Sequence, residues 1–357
     1  LVEQDVRSTA HFVCQVDKKR PAVETETAKD GLKRAVSASI KIRRPRGKED
    51  KRKGWYEKMT GSPELPYFVN DFKELSTGDE QIIPDNLQQK MAVIYIDGNK
   101  FGALQRDICT SENKQKLFDE RLREIHQKGA LSTLVHKITT RPHWRSIPNR
   151  HLQLETLLWG GDEITWVVPA WQGWWFLAEF FQLSRSWDID DNILTNAAGL
   201  VFCHHNAPIK QVTDLAHNLA EIAKDRSREN NLLAYQVLES FDHMGTALRD
   251  IRAQRCPPSV DNDELIISGE SMAEVQPVVR AIKELLPKRR LHNLVRLLYA
   301  NDMEKVVDLV EEIEKEKLLK PELAKLTPCF GEGCGKYLHL LELWDYIAPL
   351  DDAEEIV

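Results

Sequence analysis

Two adjacent acids, Asp162 and Glu163, stand between two apolar stretches in the sequence LLWGGDEITWVVP, which spans residues 157–169. Gly160 and Gly161 directly before them predict a tight turn, because glycine adopts positive φ without a steric cost. The stretch therefore predicts a β-hairpin whose tip carries two carboxylates. A divalent cation at the tip would explain them, since Mg²⁺ takes oxygen ligands and often uses only one or two carboxylates. The alternative is an ordinary hairpin that carries two surface acids.

A third acid, Asp97, ends an apolar run in the sequence MAVIYIDGNKFG, which spans residues 91–102. Such a run of β-branched and apolar residues predicts a buried strand. Gly98 and Gly102 allow the backbone to fold closely around a ligand as a helix begins, and the free N–H groups of a helix start suit phosphate. Asp97 and Asp162 at neighbouring strand ends can hold two Mg²⁺ or Mn²⁺ ions, an arrangement that serves phosphoryl transfer.

The order of these and later segments resembles a known family. A strand ending in Asp, a helix and a GGDE hairpin resemble the palm domain shared by GGDEF diguanylate cyclases and the large polymerase subunit of type III CRISPR effector complexes. The later segments favour the second family. They resemble its strand with a His-containing turn, its last palm strand and the entry to its helical C-terminal domain: NAAGLVFCHHNAPI (196–209), NNLLAYQVL (230–238) and LPKRRLHNL (286–294).

The resemblance implies an α+β fold with a ferredoxin-like palm (βαββαβ) as the nucleotidyl-cyclase domain. It divides the chain into a basic, irregular N-terminal module over residues 1–90, a catalytic palm over 91–250 and an all-α domain over 265–357. The sequence around Cys14 resembles the zinc-knuckle segment of the family. Its partner cysteines are missing here, and a structural zinc needs four Cys or His ligands, so we expect no zinc.

The resemblance also implies the roles of individual residues. The sequence AKDRSREN, residues 223–230, is similar to the Ala-Lys…Arg-Asn signature of diguanylate cyclases, whose Lys contacts nucleotide phosphates. A solvated helix end is the equal alternative for these cations, because basic residues are favoured there. The implied catalytic residues are Asp97, Asp162 and Glu163, the implied metal ligands are Asp97, Asp162 and the carbonyl of Ile96, and the implied nucleotide-binding residues are Gly98, Asn99, Lys100, Phe101, Gly102, Gly160, Gly161, Lys224 and Arg228.

Composition restricts the class and compartment of the protein. The chain has 357 residues, of which 42% are hydrophobic and 29% charged, so it has enough apolar residues for a large core. It lacks both an apolar run of about 18 residues that could span a membrane and the features of a signal peptide at its start. Its six cysteines form no disulfide framework, which predicts a reducing cytoplasm.

Charge is distributed unevenly along the chain. Residues 17–58 contain 15 Lys or Arg against 7 Asp or Glu, although the whole chain has a net charge of −7. Within this segment, the basic cluster from Lys41 to Lys53, followed by Trp55 and Tyr56, predicts contact with RNA phosphates and stacking on a base. The alternative is a solvated loop with no ligand.

The resemblance implies a nucleotidyltransferase that converts ATP or another NTP into a cyclic or linear oligonucleotide second messenger in CRISPR-like antiviral defence. The chain departs from the family in carrying one recognisable palm and Glu163 where the family usually has Asp. A single palm implies a homodimer or a second palm-bearing subunit. The alternatives are a catalytically silent scaffold that binds RNA or sister subunits, and an enzyme closer to diguanylate cyclases.

Overall fold

The computed structural model describes residues 13–16, 18–27, 31–49, 54–62, 64–239 and 256–349. Parts of the predicted basic segment, at residues 17, 28–30 and 50–53, lie outside these ranges. The last eight residues of the predicted C-terminal domain do so too. Among the described residues, no helix is long and apolar enough to cross a membrane.

A mixed six-stranded sheet forms the centre of the molecule. Its central strand is the predicted apolar run, which is buried on both faces because strands lie on either side and helices above and below. The spatial order is β10-β9-β8-β3-β5-β4. These strands are β3 (Lys90–Gly98), β4 (Glu155–Gly160), β5 (Glu163–Pro169), β8 (Asn196–His204), β9 (Leu232–Val237) and β10 (Ile267–Ser268).

The helices between these strands follow the order predicted from the sequence, which is strand, helix, hairpin, helix, strand, helix, strand. A π-helical segment, Glu124–Ser132, interrupts the predicted helical region after β3. The helices that follow the strands are α4 (Phe101–Ile108), α5 (Glu112–Arg123), α6 (Thr133–Thr139), α7 (Ala170–Ser184) and α8 (Ile209–Arg226).

Strand β3 pairs antiparallel with β5 on one side and with β8 on the other. The register sets Ile96 opposite Ile164 of β5 and Ala198 of β8. Strand β9 lies parallel to β8, as expected for two strands joined by the crossover helix α8. This register brings the end of β3 beside the start of β5 and the start of β8.

One face of the sheet packs against large aromatic side chains of α7. Trp174, Phe176 and Phe180 are each no more than 1% exposed, and Trp166 of β5 contacts Phe176 and Phe180 with ring centroids 5.1 and 5.8 Å apart. The aromatic segment after the hairpin is therefore core, as the sequence indicated. We refer to this side as the aromatic face.

The opposite face packs against α8 through small side chains, and we refer to it as the α8 face. Ala216, Ala220 and Ala223 of the helix are fully buried against β3 and β8. Gly199 of β8 has its backbone so close to α8 that an added Cβ would lie 1.8 Å from the carbonyl oxygen of Ala216. Only glycine at this position allows the helix to approach so closely.

The region after β10 is helical, in agreement with the predicted C-terminal helices, whereas β10 itself pairs with β9 at the sheet edge and departs from the predicted all-α domain. The helical region continues the aromatic face without a break, because Trp174 donates a hydrogen bond to the Met272 carbonyl at 3.2 Å and Tyr346 stacks on Phe202 of β8. Its helices are α9 (Met272–Leu285), α10 (Lys288–Tyr299), α11 (Met303–Glu314), α12 (Leu319–Lys325), α13 (Thr327–Phe330) and α14 (Gly335–Glu342). The boundaries 1–90, 91–250 and 265–357 remain a prediction.

Short elements make up the described N-terminal region. Cys14 is buried, and the main chain of Gln15 donates a hydrogen bond to the Ala35 carbonyl at 2.8 Å, which joins the segment around Cys14 to the strand Lys33–Val36. Tyr56 is also buried and stacks on Phe68, so its ring is not available to a base as the sequence suggested. The elements are β1 (Glu24–Thr27), β2 (Lys33–Val36), α1 (Ala38–Glu49), α2 (Tyr56–Thr60) and α3 (Phe72–Leu75), with the small hairpin β6 (Asp188–Ile189) and β7 (Asn192–Ile193) further along.

Candidate functional site

Asp97 and Lys224 form a buried ion pair at the end of β3. Alternation along the strand turns Asp97 toward α8, and Lys224 reaches it from the last turn of that helix. The two residues are only 8% and 7% exposed. Lysine is rarely buried without a partner, and here Glu221 adds a second carboxylate 3.4 Å from the ammonium group.

Asp162 lies against the backbone that follows Asp97. A Cβ added to Gly98 would stand 2.9 Å from the Cβ of Asp162 and 3.4 Å from its carboxylate oxygen Oδ2. Gly98 is therefore needed for close approach of the hairpin tip to β3, and the tip brings its carboxylate to the end of that strand. Burial, together with the negative charge of nearby Asp97, raises the pKa of Asp162 to about 6.

Glu163 begins β5 and is exposed, beside Tyr95 of β3. Tyr95 lies two residues before Asp97 on the same face of the sheet and is 4% exposed. Burial raises the pKa of its hydroxyl, and so do the charges of Asp97, Glu163 and Asp162. The three predicted catalytic acids therefore converge around one tyrosine.

The glycines around these acids leave open space. A Cβ added to Gly102, Gly160 or Gly161 would have no atom within 4 Å among the described residues. Gly161 has φ +57° at the hairpin turn, where a side chain would be strained. Gly160 does not adopt positive φ, so only the second glycine is required by the turn itself. Solvent thus reaches the backbone at both the hairpin tip and the start of α4.

The predicted loop after β3 is held in place by its own side chains. Asn99 is 7% exposed and donates hydrogen bonds to the Thr195 hydroxyl at 3.0 Å and the Asn230 carbonyl at 3.2 Å. Lys100 has φ +55° and pairs with Glu229 at the surface. Phe101 is buried, with its ring centroid 5.4 Å from that of Phe118. Asn99 and Phe101 therefore position the start of α4 rather than line its open side.

The two remaining predicted residues flank the centre. Arg228 is exposed in the turn after α8, and its carbonyl accepts a hydrogen bond from Thr195 at 3.1 Å. Ile96 is fully buried within the sheet. All the predicted site residues thus lie along the ends of β3 and α8, the hairpin tip and the loop that opens α4.

The donors at the centre fit a hard divalent cation. Asp97 and Asp162 bring two carboxylates together, and burial together with the nearby charge of Asp97 raises the pKa of Asp162. Mg²⁺ is often held by only one or two carboxylates together with water and substrate phosphates. The described residues contain no group of three or more His, Cys, Asp or Glu side chains that could hold a metal by themselves.

Sequence reasoning missed two residues of this centre, Tyr95 and Glu221. Strand alternation contains the signal for Tyr95, because it precedes Asp97 by two residues and so shares its face. Glu221 precedes Lys224 by three residues on α8, the spacing of neighbours on a helix surface. Neither signal identifies a site until Asp97 and Lys224 are known to meet.

Comparison with known proteins gives structural likeness only. No protein-family model matches the chain, and no curated protein matches it. The structure is similar to the Csm1–Csm4 cassette in complex with cA4, with 16% identity and a TM-score of 0.45 over 80% of this chain and 40% of that chain. It is similar to Csm1 of T. onnurineus, with 15% identity and a TM-score of 0.43 over 79% of this chain and 40% of that one.

A GGDEF domain is also among the similar structures. It belongs to TpbB (YfiN) from Pseudomonas aeruginosa, with 15% identity and a TM-score of 0.27 over 48% of this chain and 85% of that domain. The chain spans about 40% of the length of the Csm1 chains that it matches.

Proposed function

We propose that this protein is a metal-dependent nucleotidyltransferase that converts ATP or another NTP into a cyclic or linear oligonucleotide. The observation that carries the proposal is the meeting of Asp97 and Asp162 at the end of β3, beside the open approach over Gly102, Gly160 and Gly161. Paired acids at a strand end with free space above the adjoining backbone suit a nucleotide triphosphate and its cations.

The strand order supports a palm as the catalytic fold. The strands β8-β3-β5-β4 stand side by side, and along the chain they are separated by helices except at the β4–β5 hairpin. This order supports a ferredoxin-like βαββαβ unit, with α8 and β9 added beyond it. The finer family assignment, to CRISPR-type oligonucleotide synthases with a role in antiviral defence, is part of the proposal.

Asp97 and Asp162 would hold Mg²⁺ or Mn²⁺, with the Ile96 carbonyl and Glu163 as further oxygen donors. Bound there, two such ions would activate a ribose hydroxyl and balance charge on the phosphates. The protein's own contribution is to hold both carboxylates close together. The depth of Asp97 and the contact of Asp162 with Gly98 hold them in place before substrate arrives.

Lys224 already neutralises Asp97 from α8, and this makes it the group best able to respond to substrate. The Lys224 side chain is flexible, so its ammonium group can leave the Asp97 carboxylate and bind a phosphate oxygen. There it would offset charge that develops in the transition state. Arg228, which lies just after the end of α8, would bind the same triphosphate. The loop over 98–102 is fixed by the Asn99 side chain and by the Asn99 amide, which donates to the Thr195 carbonyl, and it would present its remaining amides to the phosphates.

The proposal also includes binding partners and a cellular compartment. A second palm, from another copy of the chain or from a different subunit, would provide the second nucleotide for bond formation. The basic segment 17–58 would bind RNA. The six cysteines form no disulfide within the part of the chain that the structure describes, and this supports a reducing compartment such as the cytoplasm.

A catalytically silent scaffold is the second candidate, and the Lys224–Asp97 ion pair favours it. A buried pair can be retained for structure alone, and a scaffold would need no metal at Asp162. A third candidate, an enzyme closer to diguanylate cyclases, rests on Glu163, which matches the acid of their GGDEF motif.

The test incubates the purified protein with each labelled NTP and Mg²⁺ or Mn²⁺, and resolves the products by mass. Asp162→Ala is compared with Asp308→Ala, which removes the same side chain from an exposed position on α11. We expect an oligonucleotide product that disappears with Asp162→Ala and persists with Asp308→Ala. Product that survives in both variants would overturn the proposed site, and turnover of GTP alone would favour the cyclase candidate.

Metal binding distinguishes the proposed enzyme from a catalytically silent scaffold. Mn²⁺ titration followed by electron paramagnetic resonance should report binding that Asp162→Ala weakens. Absence of both Mn²⁺ binding and product, with RNA and a palm-bearing partner supplied, would establish the scaffold instead.

A further inference from the structure

A cavity of about 470 Å³ opens on the α8 face, between that helix and the outer strands of the sheet. Its volume lies within the usual range of small-molecule sites. Tyr95, Glu163 and Thr165 form its floor, while Thr213 and His217 of α8 form one wall. None of these residues except Glu163 has a place in the proposed chemistry.

The cavity exists because α8 covers only part of its face. The helix packs on β8, β3 and β9 and leaves the β4–β5 edge beyond its reach. A β-bulge between Thr156 and Leu158 then pairs Leu158 with Thr165, which turns Leu158 toward the cavity. Leu157 and Leu158 are 37% and 39% exposed and both line the opening. Exposed leucines at a concave edge suit a ligand with an apolar surface.

Aromatic side chains indicate a flat ligand. The rings of Tyr95 and His217 meet edge to face with centroids 4.9 Å apart, and Phe72 lines the same space. Faces and edges of such rings favour offset or perpendicular contact with another aromatic ring. A planar heteroaromatic group would therefore pack against these rings better than an aliphatic chain would.

Polar groups in the cavity favour a ligand that donates hydrogen bonds. The Tyr95 hydroxyl is buried beside the Glu163 carboxylate but makes no hydrogen bond of good geometry within the described ranges, so a ligand that bonds to both groups would lower the cost of burying it. Glu163 and Thr165 offer acceptors beside it.

The balance of charge excludes an anionic group. Lys210 is paired with Asp214 at 2.7 Å, whereas Glu163 forms no ion pair within the described ranges. The remaining charge of the cavity is thus negative, and this repels phosphate while it attracts amino and ring N–H donors.

We propose that this cavity binds the base of a nucleotide, with Glu163 and the Tyr95 hydroxyl bonded to its amino group and ring nitrogens. Tyr95 and Asp97 follow each other on one face of β3, about 7 Å apart along the strand. A nucleotide seated here would therefore direct its phosphates toward Asp97 and Asp162. The assignment of the ligand as a nucleotide of the reaction rests on the proposed function, whereas the cavity and its preference for a base do not.

The experiment measures equilibrium binding of adenosine and guanosine by calorimetry, without phosphates or metal. Thr213→Trp fills the cavity from a half-buried position on α8, and Asn218→Trp makes the same change on an exposed part of that helix outside the cavity. Tyr95→Phe removes only the hydroxyl and keeps the ring. We expect a tenfold or larger loss of nucleoside affinity with Thr213→Trp, no loss with Asn218→Trp and about a threefold to tenfold loss with Tyr95→Phe.

NTP turnover by the same variants shows whether the bound base belongs to the substrate or to a separate effector nucleotide. A raised KM with Thr213→Trp assigns the cavity to the substrate base, and an unchanged KM with lost nucleoside binding assigns it to a separate effector nucleotide. Equal nucleoside affinity in the wild type and all three variants would overturn the proposal. So would failure of both nucleosides to bind at millimolar concentration.

Inorganic triphosphate with Mn²⁺ tests the metal centre independently. We expect its binding to survive Thr213→Trp. If triphosphate and Mn²⁺ do not bind while nucleosides still bind, the proposed function fails and the base pocket stands.

Discussion

The two faces of the central sheet differ in the size of their side chains and in their role in the protein. The aromatic face is filled by large rings such as Trp166, Phe176 and Phe180, all fully buried. The α8 face is built from alanine and glycine, so that helix and sheet approach closely at Gly199. The buried ion pair of the candidate centre, Asp97 with Lys224, lies at the α8 face.

The difference follows from what each face can tolerate. A layer of interlocked rings has no room for a buried ion pair, because charges there would lose their water without gaining partners. Small side chains bring α8 close enough for Lys224 to reach Asp97, and the end of the same helix leaves the cavity at Tyr95 open. The aromatic face thus stabilises the fold, and the α8 face carries the chemistry.

The largest effect is expected from Gly199→Ala. The added Cβ would lie 1.8 Å from the Ala216 carbonyl oxygen and 3.0 Å from the Ala220 nitrogen, and helix backbone cannot move aside. We expect a loss of more than about 3 kcal/mol in the free energy of unfolding, since overpacking at this level exceeds the usual range. Urea denaturation followed by circular dichroism measures it.

Gly173→Ala is the matched change on the aromatic face. Its Cβ would meet the side chains of Ala92 at 2.5 Å and Phe202 at 2.9 Å, which can adjust in part, so we expect about 1 to 3 kcal/mol. An equal or larger loss with Gly173→Ala would show that the two faces do not differ as described.

Asp97→Asn tests the ion pair on the α8 face. It leaves Lys224 buried with only Glu221 nearby, and breaking a buried pair on one side is costly. We expect the protein to lose about 2 to 3 kcal/mol of stability as well as its activity. The double variant Asp97→Asn with Lys224→Met should recover most of the stability, and unchanged stability in the single variant would contradict a structural role for the pair.

Asp162→Asn should act in the opposite direction. The pKa of Asp162 rises from 3.8 to about 6 on folding, so the folded state binds its proton more tightly and loses stability as pH rises through that interval. We expect the variant to be more stable than the wild type at pH 8 by about 1 to 2 kcal/mol after allowance for solvent screening.

This advantage should shrink as pH falls from 6 and vanish about one unit below the unfolded pKa of 3.8, where Asp162 is protonated in both states. Melting temperatures at about pH 3, 6 and 8 in the presence of EDTA measure it. A variant that is less stable than the wild type at pH 8 would mean that Asp162 stabilises the metal-free protein.

Gly102→Ala should have the smallest effect on stability. It adds a methyl group to a helix at a place with no atom within 4 Å, and alanine favours helices, so we expect a gain of no more than about 1 kcal/mol. Binding of triphosphate with Mn²⁺ should nevertheless weaken, because the methyl group enters the proposed approach. Unchanged triphosphate affinity, measured by calorimetry, would remove Gly102 from the site.

Several elements could be predicted from local patterns. The apolar run before Asp97 indicated a buried central strand, and Gly160 and Gly161 indicated the hairpin that follows. The aromatic helix was correctly assigned to the core. The π-helical segment Glu124–Ser132 was not foreseen, because nothing in its hydrophobic spacing separates it from the α-helices on either side.

The candidate centre was predicted less completely. The acids and the basic residues were chosen as separate groups, with Lys224 assigned to a phosphate. Its contact with Asp97 joins residues 127 positions apart, and no local pattern can pair them. Tyr56 was predicted to stack on an RNA base because of its position in a basic segment. It lies in the core instead, where it stacks on Phe68.

The sequence by itself determined the strands, the hairpin turn and the helices around them, since these depend on hydrophobic period and turn chemistry within a few residues. It also determined which acids stand at strand ends. The tertiary structure alone decided that Asp97 meets both Asp162 and Lys224, and that Tyr95 faces a cavity. Those contacts depend on the sheet register and on the close packing of α8 at Gly199, which are set by residues far apart in the chain.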